Sequence, residues 1–261
     1  MKTPLIIVCC TILLFSCQPK QEKLSSIDGV YKMDNQFAYT IEKDSLVSSL
    51  ENPNQIKIFT DKHFIWINIG KDSVANFGVG AYQLNENAIT ETNIYNSGGT
   101  DTPNQYNLNI EPTQNGYKQI IPSMAYNDTQ IKLEETYSRM TETSSSNLDG
   151  LWMATKNYLV KGSDTTNSNY PDYKIFNKGN FSWAVRALMD TAQNKFISYV
   201  GSGTFTVEGD QLRENTSNSN IVSASSSVIE AKLISSTNQE FTQAINQADG
   251  SVRYTTYTKV Q

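Results

Sequence analysis

The sequence predicts an all-β protein made of two tandem antiparallel β-barrels, each an up-and-down meander of about eight strands. Three observations carry this prediction. One stretch of the chain occurs twice, short apolar-polar segments are separated by turn-forming residues, and no convincing apolar stripe runs at helical spacing. The composition agrees, because only 18% of the residues are charged and Asn, Ser, Thr, Gln and Tyr are abundant.

The first sixteen residues predict a signal peptide. Lys2 is followed by the apolar run PLIIVCCTILLFS, whose thirteen residues fit the core of a signal peptide. A membrane-spanning helix would need ~20 residues. The run ends in LFSC, which resembles a bacterial lipobox with Cys17 as the lipidated residue. We therefore expect removal of residues 1–16 and a lipidated tether over 17–26; an ordinary secretory signal is the alternative.

Cysteine usage and charge limit the function. Cys9 and Cys10 leave with the leader, so a mature chain without a disulfide relies on core burial for its stability. The net charge is −5 and no basic run exceeds two residues, which argues against a nucleic-acid partner. The expected location is the cell envelope, with the lipid anchor in the outer membrane facing the periplasm or the cell surface.

The repeat covers nearly all of the mature chain. QIKIFTDKHFIWI (55–67) matches DYKIFNKGNFSWA (172–184). IDGVY (27–31) matches LDGLW (148–152), GVGAYQLNENAITE (78–91) matches GSGTFTVEGDQLRE (201–214), and TYSRM (136–140) matches TYTKV (256–260). We therefore expect barrel 1 over 27–140, a polar linker over 141–147 and barrel 2 over 148–261, each of domain size.

Within the first copy, the pattern predicts strands near 29–33, 56–60, 64–69, 78–84, 88–95, 105–111, 117–121 and 131–139. Turn signals such as Asn115-Gly116 separate consecutive runs, and Asp249-Gly250 does the same in the second copy. The 34–52 region is the one place where a short helix is expected. Closure of about eight hairpin-connected strands into a barrel removes the free edges, whereas a sandwich is the competing arrangement.

Two motifs in each copy resemble those of lipocalins, which carry a Gly-x-Trp near the first strand and a late basic residue across that Trp. The second copy has Gly150-Leu151-Trp152 with Lys259, and the first has Gly29-Val30-Tyr31 with Arg139. The resemblance implies a barrel-closing pair, Tyr31 with Arg139 and Trp152 with Lys259. The repeated ribbon and the lipobox further resemble lipocalin-like lipoproteins of Bacteroidetes.

Alternation along the strands predicts which side chains face the interior. The shared aromatic face gives a candidate ligand cavity, whose residues are Phe64, Trp66, Tyr82, Phe181, Trp183 and Phe205. A barrel core filled by these side chains is the alternative. Ile65 and Ile67 then face outward, and such an apolar patch indicates packing between the barrels or a partner.

Glu91 and its counterpart Glu214 share the inward face with Ile89 and Leu212. A buried carboxylate should pair with a base or be protonated. It either orients a ligand or serves structurally at an exposed barrel rim. His63, the only histidine, is expected to lie exposed beside a turn.

These observations favour a binding protein over an enzyme. We expect a small apolar or planar ligand in a barrel interior; the alternative is an envelope module with filled barrels that contacts a protein or a glycan. No catalytic constellation, cofactor motif or metal-ligand cluster is apparent. A hydrolase using Glu91 or Glu214 is the one enzymatic alternative.

Overall fold

The computed structural model describes residues 23–99, 103–126, 129–168, 171–190 and 195–261. The predicted signal peptide and the predicted lipidation site at Cys17 lie outside the described residues. The described chain is all-β and forms two sheets of nine strands each. No helix among the described residues is long and apolar enough to cross a membrane.

Strands of the first sheet are β1 (Gly29–Thr40), β2 (Leu46–Glu51), β3 (Gln55–Phe59), β4 (His63–Ile69), β5 (Ala75–Asn85), β6 (Ala88–Asn96), β7 (Asn104–Thr113), β8 (Gly116–Tyr126) and β9 (Thr129–Arg139). Strands of the second sheet are β10 (Gly150–Lys161), β11 (Asp164–Asn167), β12 (Asp172–Asn177), β13 (Asn180–Asp190), β14 (Lys195–Glu208), β15 (Gln211–Ser219), β16 (Val228–Ser236), β17 (Glu240–Asn246) and β18 (Val252–Lys259).

Each sheet closes on itself. From β3 to β9 every strand pairs antiparallel with the next, and β1 pairs with both β3 and β9. The second sheet repeats this order, with β10 joining β12 to β18. The result is two eight-stranded up-and-down barrels, each with one additional strand, β2 or β11. The predicted fold class is confirmed.

The short helix expected within 34–52 is wrong. β1 continues to Thr40, turns, and pairs with β2 as a hairpin. The reason is tertiary: β1 also pairs with β9 along its length, as far as Thr40 opposite Ile131, so its backbone groups are already satisfied by a neighbouring strand. Long-range pairing therefore overrides the weak local preference.

Arg139 and Lys259 lie across the aromatic residues that begin each barrel. The guanidinium carbon of Arg139 is 5.5 Å from the ring centre of Tyr31, and the ammonium of Lys259 is 5.2 Å from that of Trp152. Arg139 also donates to the carbonyl of Asp28 at 2.8 Å. These contacts define the closed end of each barrel, where β1 and β10 begin.

The half of each barrel near its closed end is filled by aromatic rings. In barrel 1, Tyr31 packs edge-on against Tyr117 at 4.8 Å and Phe59 packs edge-on against Tyr82 at 5.0 Å between ring centres. In barrel 2, Trp152 contacts Phe241 and Phe176 contacts Phe205 in the same manner. Edge-to-face geometry adds about 0.5–1.5 kcal/mol per pair beyond burial alone.

The outer faces of the two barrels pack on each other. Ile58, Ile65 and Val79 belong to one buried cluster with Ile175 and Ala184 of barrel 2. Ile67 joins the same cluster and is fully buried. The outward-facing isoleucines therefore pack between the barrels, the first of the two outcomes that the sequence predicted.

Contacts at both ends set the relative direction of the barrels. Near the closed ends, the side-chain amide of Asn177 donates to the carbonyl of Phe59. Farther from those ends, the rings of Tyr95 and Tyr173 have centres 4.9 Å apart. The barrels therefore lie side by side with their closed ends together, and their open ends face the same general direction.

Candidate functional site

Each barrel contains a cavity on the open side of its aromatic core. The cavity of barrel 1 has a volume of about 340 Å³, and that of barrel 2 has a volume of about 490 Å³. Leu108, Ile121 and Leu133 contribute apolar wall to the first, and Ile229 and Ile245 contribute apolar wall to the second. Volumes of this size are within the range that holds small molecules in proteins.

A tryptophan in each wall packs directly on a glycine of the next strand. Trp66 pairs with Gly78 and Trp183 pairs with Gly201. A Cβ added to Gly78 would lie 2.5 Å from the indole nitrogen of Trp66, and one added to Gly201 would lie 2.6 Å from Trp183. The glycines thus provide the space that lets each indole lie along the wall.

A buried ion pair lies at the inner end of each cavity. The ammonium of Lys57 is 2.6 Å from Glu91, and that of Lys174 is 2.8 Å from Glu214. In barrel 1 the same ammonium donates to Oε1 of Gln119 at 3.0 Å. Both pairs are almost fully inaccessible to solvent, so each charge depends on its partner for compensation.

The expectation of an exposed rim position for the glutamates is wrong, because Glu91 is 4% and Glu214 is 3% exposed. They were correctly expected to face inward, where pairing with a base replaces lost hydration. Their lysine partners were not predicted from the sequence. The signal was available, since Lys57 and Lys174 are identical in the repeat and share strand parity with the core residues Phe59 and Phe176.

A second buried carboxylate completes the polar end of the barrel 1 cavity. Glu135 accepts hydrogen bonds from Gln36 and Gln119, each at 2.7 Å, and from the hydroxyl of Tyr137 at 2.9 Å. Burial raises the pKa of the Glu135 carboxyl, and the charge of Lys57 opposes this rise. The cavity thus holds two carboxylates and one ammonium.

Barrel 2 has its second carboxylate on a different strand. Thr255 occupies the position of Glu135, and Asp172 occupies the position of Gln55. The hydroxyl of Tyr257 donates to Oδ2 of Asp172 at 2.7 Å, as the hydroxyl of Tyr137 does to Glu135. Burial raises the pKa of the Asp172 carboxyl, and Lys174 opposes this rise. Tyr137 and Tyr257 occupy equivalent positions in the two barrels. Each donates to a buried acid, which comes from its own strand in barrel 1 and from a different strand, β12, in barrel 2.

The predicted ligand-binding residues divide into two groups. Trp66, Glu91, Trp183 and Glu214 line the cavities. The other four belong to the aromatic cores and do not line the cavities: Phe64, Tyr82, Phe181 and Phe205. Their assignment to a cavity wall is wrong, because strand alternation identifies the inward face but not the depth along the barrel axis. Both alternatives for the interior thus hold in part: one half is filled and the other is hollow.

His63 lies in a polar cleft of about 860 Å³ between the barrels, near their closed ends. It is 7% exposed, so the expectation of an exposed turn residue is wrong. Burial lowers the pKa of its imidazole, and Asp61 opposes this effect. Among the described residues, no group of three His, Asp or Glu side chains is arranged to hold a metal ion.

Closed antiparallel barrels of eight strands, each with a basic residue across an aromatic residue at one end, have the lipocalin-like architecture. A lipocalin-like protein from Bacteroides uniformis is similar in structure at 12% identity and a TM-score of 0.31, over 44% of this chain and all of its own. A protein of unknown function from the DUF3598 family of Nostoc punctiforme matches at 10% identity and a TM-score of 0.27, over 89% of this chain and 96% of its own.

No protein-family model matches the sequence, and no curated protein matches it. The fold class therefore rests on the strand pairing of the chain itself.

Proposed function

We propose that the chain binds small molecules inside its barrels. The observation that carries this proposal is the repetition of one cavity design. Each barrel combines a hollow half, a tryptophan packed on a glycine, and a buried lysine–glutamate pair at the inner end. If each cavity were only a packing defect, the same charged pair and the same indole would not be expected in both barrels.

The chemistry of the cavities favours a ligand with a small apolar or planar body. The indoles of Trp66 and Trp183 offer flat apolar surface, and aliphatic residues complete the walls. Polar side chains also line both cavities, among them the buried pairs at the inner ends, Lys57 with Glu91 and Lys174 with Glu214. Polar groups at fixed positions beside apolar wall are typical of sites that orient a ligand.

Attachment to the envelope is the second part of the proposal. The chain reaches barrel 1 near its closed end, where the backbone N–H of Leu24 donates to Asn87 in the β5–β6 turn at 2.9 Å. A lipid on Cys17 would hold the protein from this end. Both open ends would then point away from the lipid surface and accept ligands from the surrounding compartment.

The outer apolar patch of barrel 1 does not support an interaction module, because Ile65 and Ile67 are buried against barrel 2. The hydrolase alternative also gains no support from the geometry. The carboxylate of Glu91 is engaged by Lys57 at 2.6 Å, and Glu214 is engaged by Lys174 through both oxygens, at 2.8 and 3.1 Å. Each carboxylate is therefore occupied by a buried ammonium.

The test uses the full mature chain. Native mass spectrometry should detect a co-purified small molecule, and titration with the planar fluorophore N-phenyl-1-naphthylamine should saturate. The variant with both Trp66→Leu and Trp183→Leu should bind the probe at least tenfold more weakly. Trp152→Phe, in the filled half of barrel 2, is the matched control and should keep its affinity. Absence of any bound molecule and of probe binding would leave the interaction module as the better account.

The anchor is tested separately in cells. The full chain should fractionate with membranes, and Cys17→Ala should move it to the soluble fraction. A Cys17→Ala chain that stays in the membrane fraction would contradict lipidation at this residue without affecting the binding proposal.

A further inference from the structure

The two cavities differ at one pair of facing positions. In barrel 1, Gln55 pairs with Asn68 across β3 and β4; in barrel 2, Asp172 pairs with Val185 across β12 and β13. All four side chains belong to cavity walls, so the exchange changes what a ligand meets. Where the barrel 1 cavity has two amides, the barrel 2 cavity has one acid and one aliphatic side chain.

In barrel 1 this position is satisfied within the protein. The amide nitrogen of Gln55 donates to the hydroxyl of Tyr137 at 2.7 Å, and its oxygen accepts from the amide of Asn68 at 3.2 Å. Both ends of the Gln55 side chain therefore have partners. A ligand in this cavity finds no unpaired acceptor at Gln55.

In barrel 2 the corresponding acid is only half satisfied. Oδ2 of Asp172 accepts from the hydroxyl of Tyr257 at 2.7 Å, but the buried Oδ1 has no hydrogen-bond partner. The reason is the exchange of Asn68 for Val185, whose side chain has no donor. A buried carboxylate oxygen without a donor is unfavourable, because it has lost its hydration and gained no hydrogen bond in return.

We propose that Asp172 is the specificity-determining residue of barrel 2 and binds the hydrogen-bond-donor head group, an alcohol or an ammonium, of a ligand with an aliphatic body. This inference rests on the proposed binding function and adds the chemistry of the ligand. Leu159, Ile229 and Ile245 supply an aliphatic wall for the body of such a molecule. The head group supplies the donor that Val185 lacks.

The charges around Asp172 determine how binding depends on pH. Lys174 and Arg253 favour its ionised form, whereas Glu214 disfavours it, and Tyr257 donates to it. Burial raises the pKa of its carboxyl above the ordinary value of 3.8. A cationic head group binds the ionised acid, so affinity for an amine should fall as pH decreases through this raised pKa. Affinity for an alcohol should change less.

The experiment compares probes that share one aliphatic chain: octan-1-ol, octylamine, and octyl methyl ether, which lacks a donor. Binding to the full mature chain is measured by native mass spectrometry and by quenching of tryptophan fluorescence. We expect the alcohol or the amine to bind at least about tenfold more tightly than the ether, because a hydrogen bond to a charged group contributes that much. The pH profile then distinguishes the two head groups.

Val185→Asn is the informative variant, because it restores the donor that barrel 1 has at Asn68. It should raise the stability of the fold and remove the preference for donor head groups, while the ether still binds. Asp172→Gln should remove the preference as well. Asn68→Val in barrel 1 is the matched control, and it should leave the preference of barrel 2 unchanged.

The outcomes separate this inference from the function on which it rests. Equal affinity for the ether and for both donor probes would overturn the role of Asp172 and leave the binding function standing. A preference that persists in Val185→Asn would also overturn that role. Failure of all three probes and of the planar fluorophore to bind would overturn the binding function and this inference with it.

Discussion

Glu134 and Glu135 are consecutive residues of β9, and their carboxylates lie on opposite sides of the barrel wall. Glu134 faces outward, 2.7 Å from the ammonium of Lys118, whereas Glu135 faces the cavity and accepts from Gln36 at 2.7 Å. The pKa of Glu134 is lowered, mainly by the hydrogen bond from Lys118. The pKa of Glu135 is raised by burial. One step along the strand therefore reverses the sign of the shift.

This reversal predicts opposite pH dependences of stability. Because the pKa of Glu135 is raised above its ordinary value of 4.5, the folded chain binds more protons than the unfolded chain between the two values. Its ionisation therefore destabilises the fold as pH rises through that window. Relative to the wild type, Glu135→Gln should gain free energy of unfolding as pH rises above about 4.5.

Glu134→Gln is the matched control for this measurement. The lowered pKa of Glu134 stabilises the fold above the ordinary value of 4.5, and this contribution is lost as pH falls. Relative to the wild type, Glu134→Gln should therefore lose stability as pH rises toward about 4.5. Urea unfolding of both variants between acidic and neutral pH gives the two slopes. Slopes of the same sign would contradict the opposite environments of the two carboxylates.

The buried pair of Lys57 and Glu91 predicts strong coupling between two mutations. Lys57→Met alone leaves the carboxylate of Glu91 buried without its ammonium, which should cost about 3–5 kcal/mol of unfolding free energy. Replacing both residues, with Lys57→Met and Glu91→Leu, should cost much less, because no uncompensated charge remains. Urea unfolding of the four members of this cycle measures the coupling. Additive effects would show that the two side chains do not depend on each other.

The architecture could be predicted from the sequence because side-chain alternation and turn residues are local signals, and both occur in each copy of the repeat. Strand alternation correctly assigned the inward positions of Trp66 and Glu91 and the outward position of Ile65. It could not give the depth of a side chain along the barrel, so Phe64 was assigned to the cavity although it lies in the filled core. Depth depends on strand tilt and stagger, which no single strand encodes.

Side-chain contacts between strands that are distant in the sequence could not be predicted either. The pairing of Lys174 with Glu214 joins β12 to β15, and the bond from Tyr257 to Asp172 joins β18 to β12. Neither follows from the spacing of the residues in the chain. The hydrogen bonds of Glu135 were missed for the same reason, since its donors come from β1, β8 and β9. Such contacts become visible only when the barrel is closed.

Tyr95 predicts a measurable link between the barrels. Its hydroxyl donates to the carbonyl of Pro171 at 2.9 Å and accepts from the backbone N–H of Arg186 at 2.6 Å. Tyr95→Phe removes both bonds and should lower the free energy of unfolding by about 1–3 kcal/mol. Tyr126→Phe, at a residue that is 46% exposed, is the control and should have an effect within about 0.5 kcal/mol. Equal effects of the two variants would contradict a role for Tyr95 in joining the barrels.

Gly78 and Gly80 lie two residues apart on β5. Substitution of either glycine by alanine is expected to destabilise the fold, but for different reasons. A Cβ on Gly78 would meet the side chain of Trp66, at 2.5 Å, whereas a Cβ on Gly80 would lie 2.0 Å from the backbone carbonyl oxygen of Thr92. Gly78→Ala should therefore cost about 1–3 kcal/mol by overpacking. Gly80→Ala should cost more, because the β5–β6 pairing itself must shift.

A second mutation at Trp66 separates these two causes. In the presence of Trp66→Leu, the added cost of Gly78→Ala should fall by on the order of 1–2 kcal/mol, because the indole that it displaces is gone. The added cost of Gly80→Ala should stay the same, since its obstacle is the backbone of β6. Urea unfolding of the single and double variants measures both costs. If Trp66→Leu relieved both glycine variants equally, the indole would not be what fills the space above Gly78, and the wall of the cavity would have to be assigned to other residues.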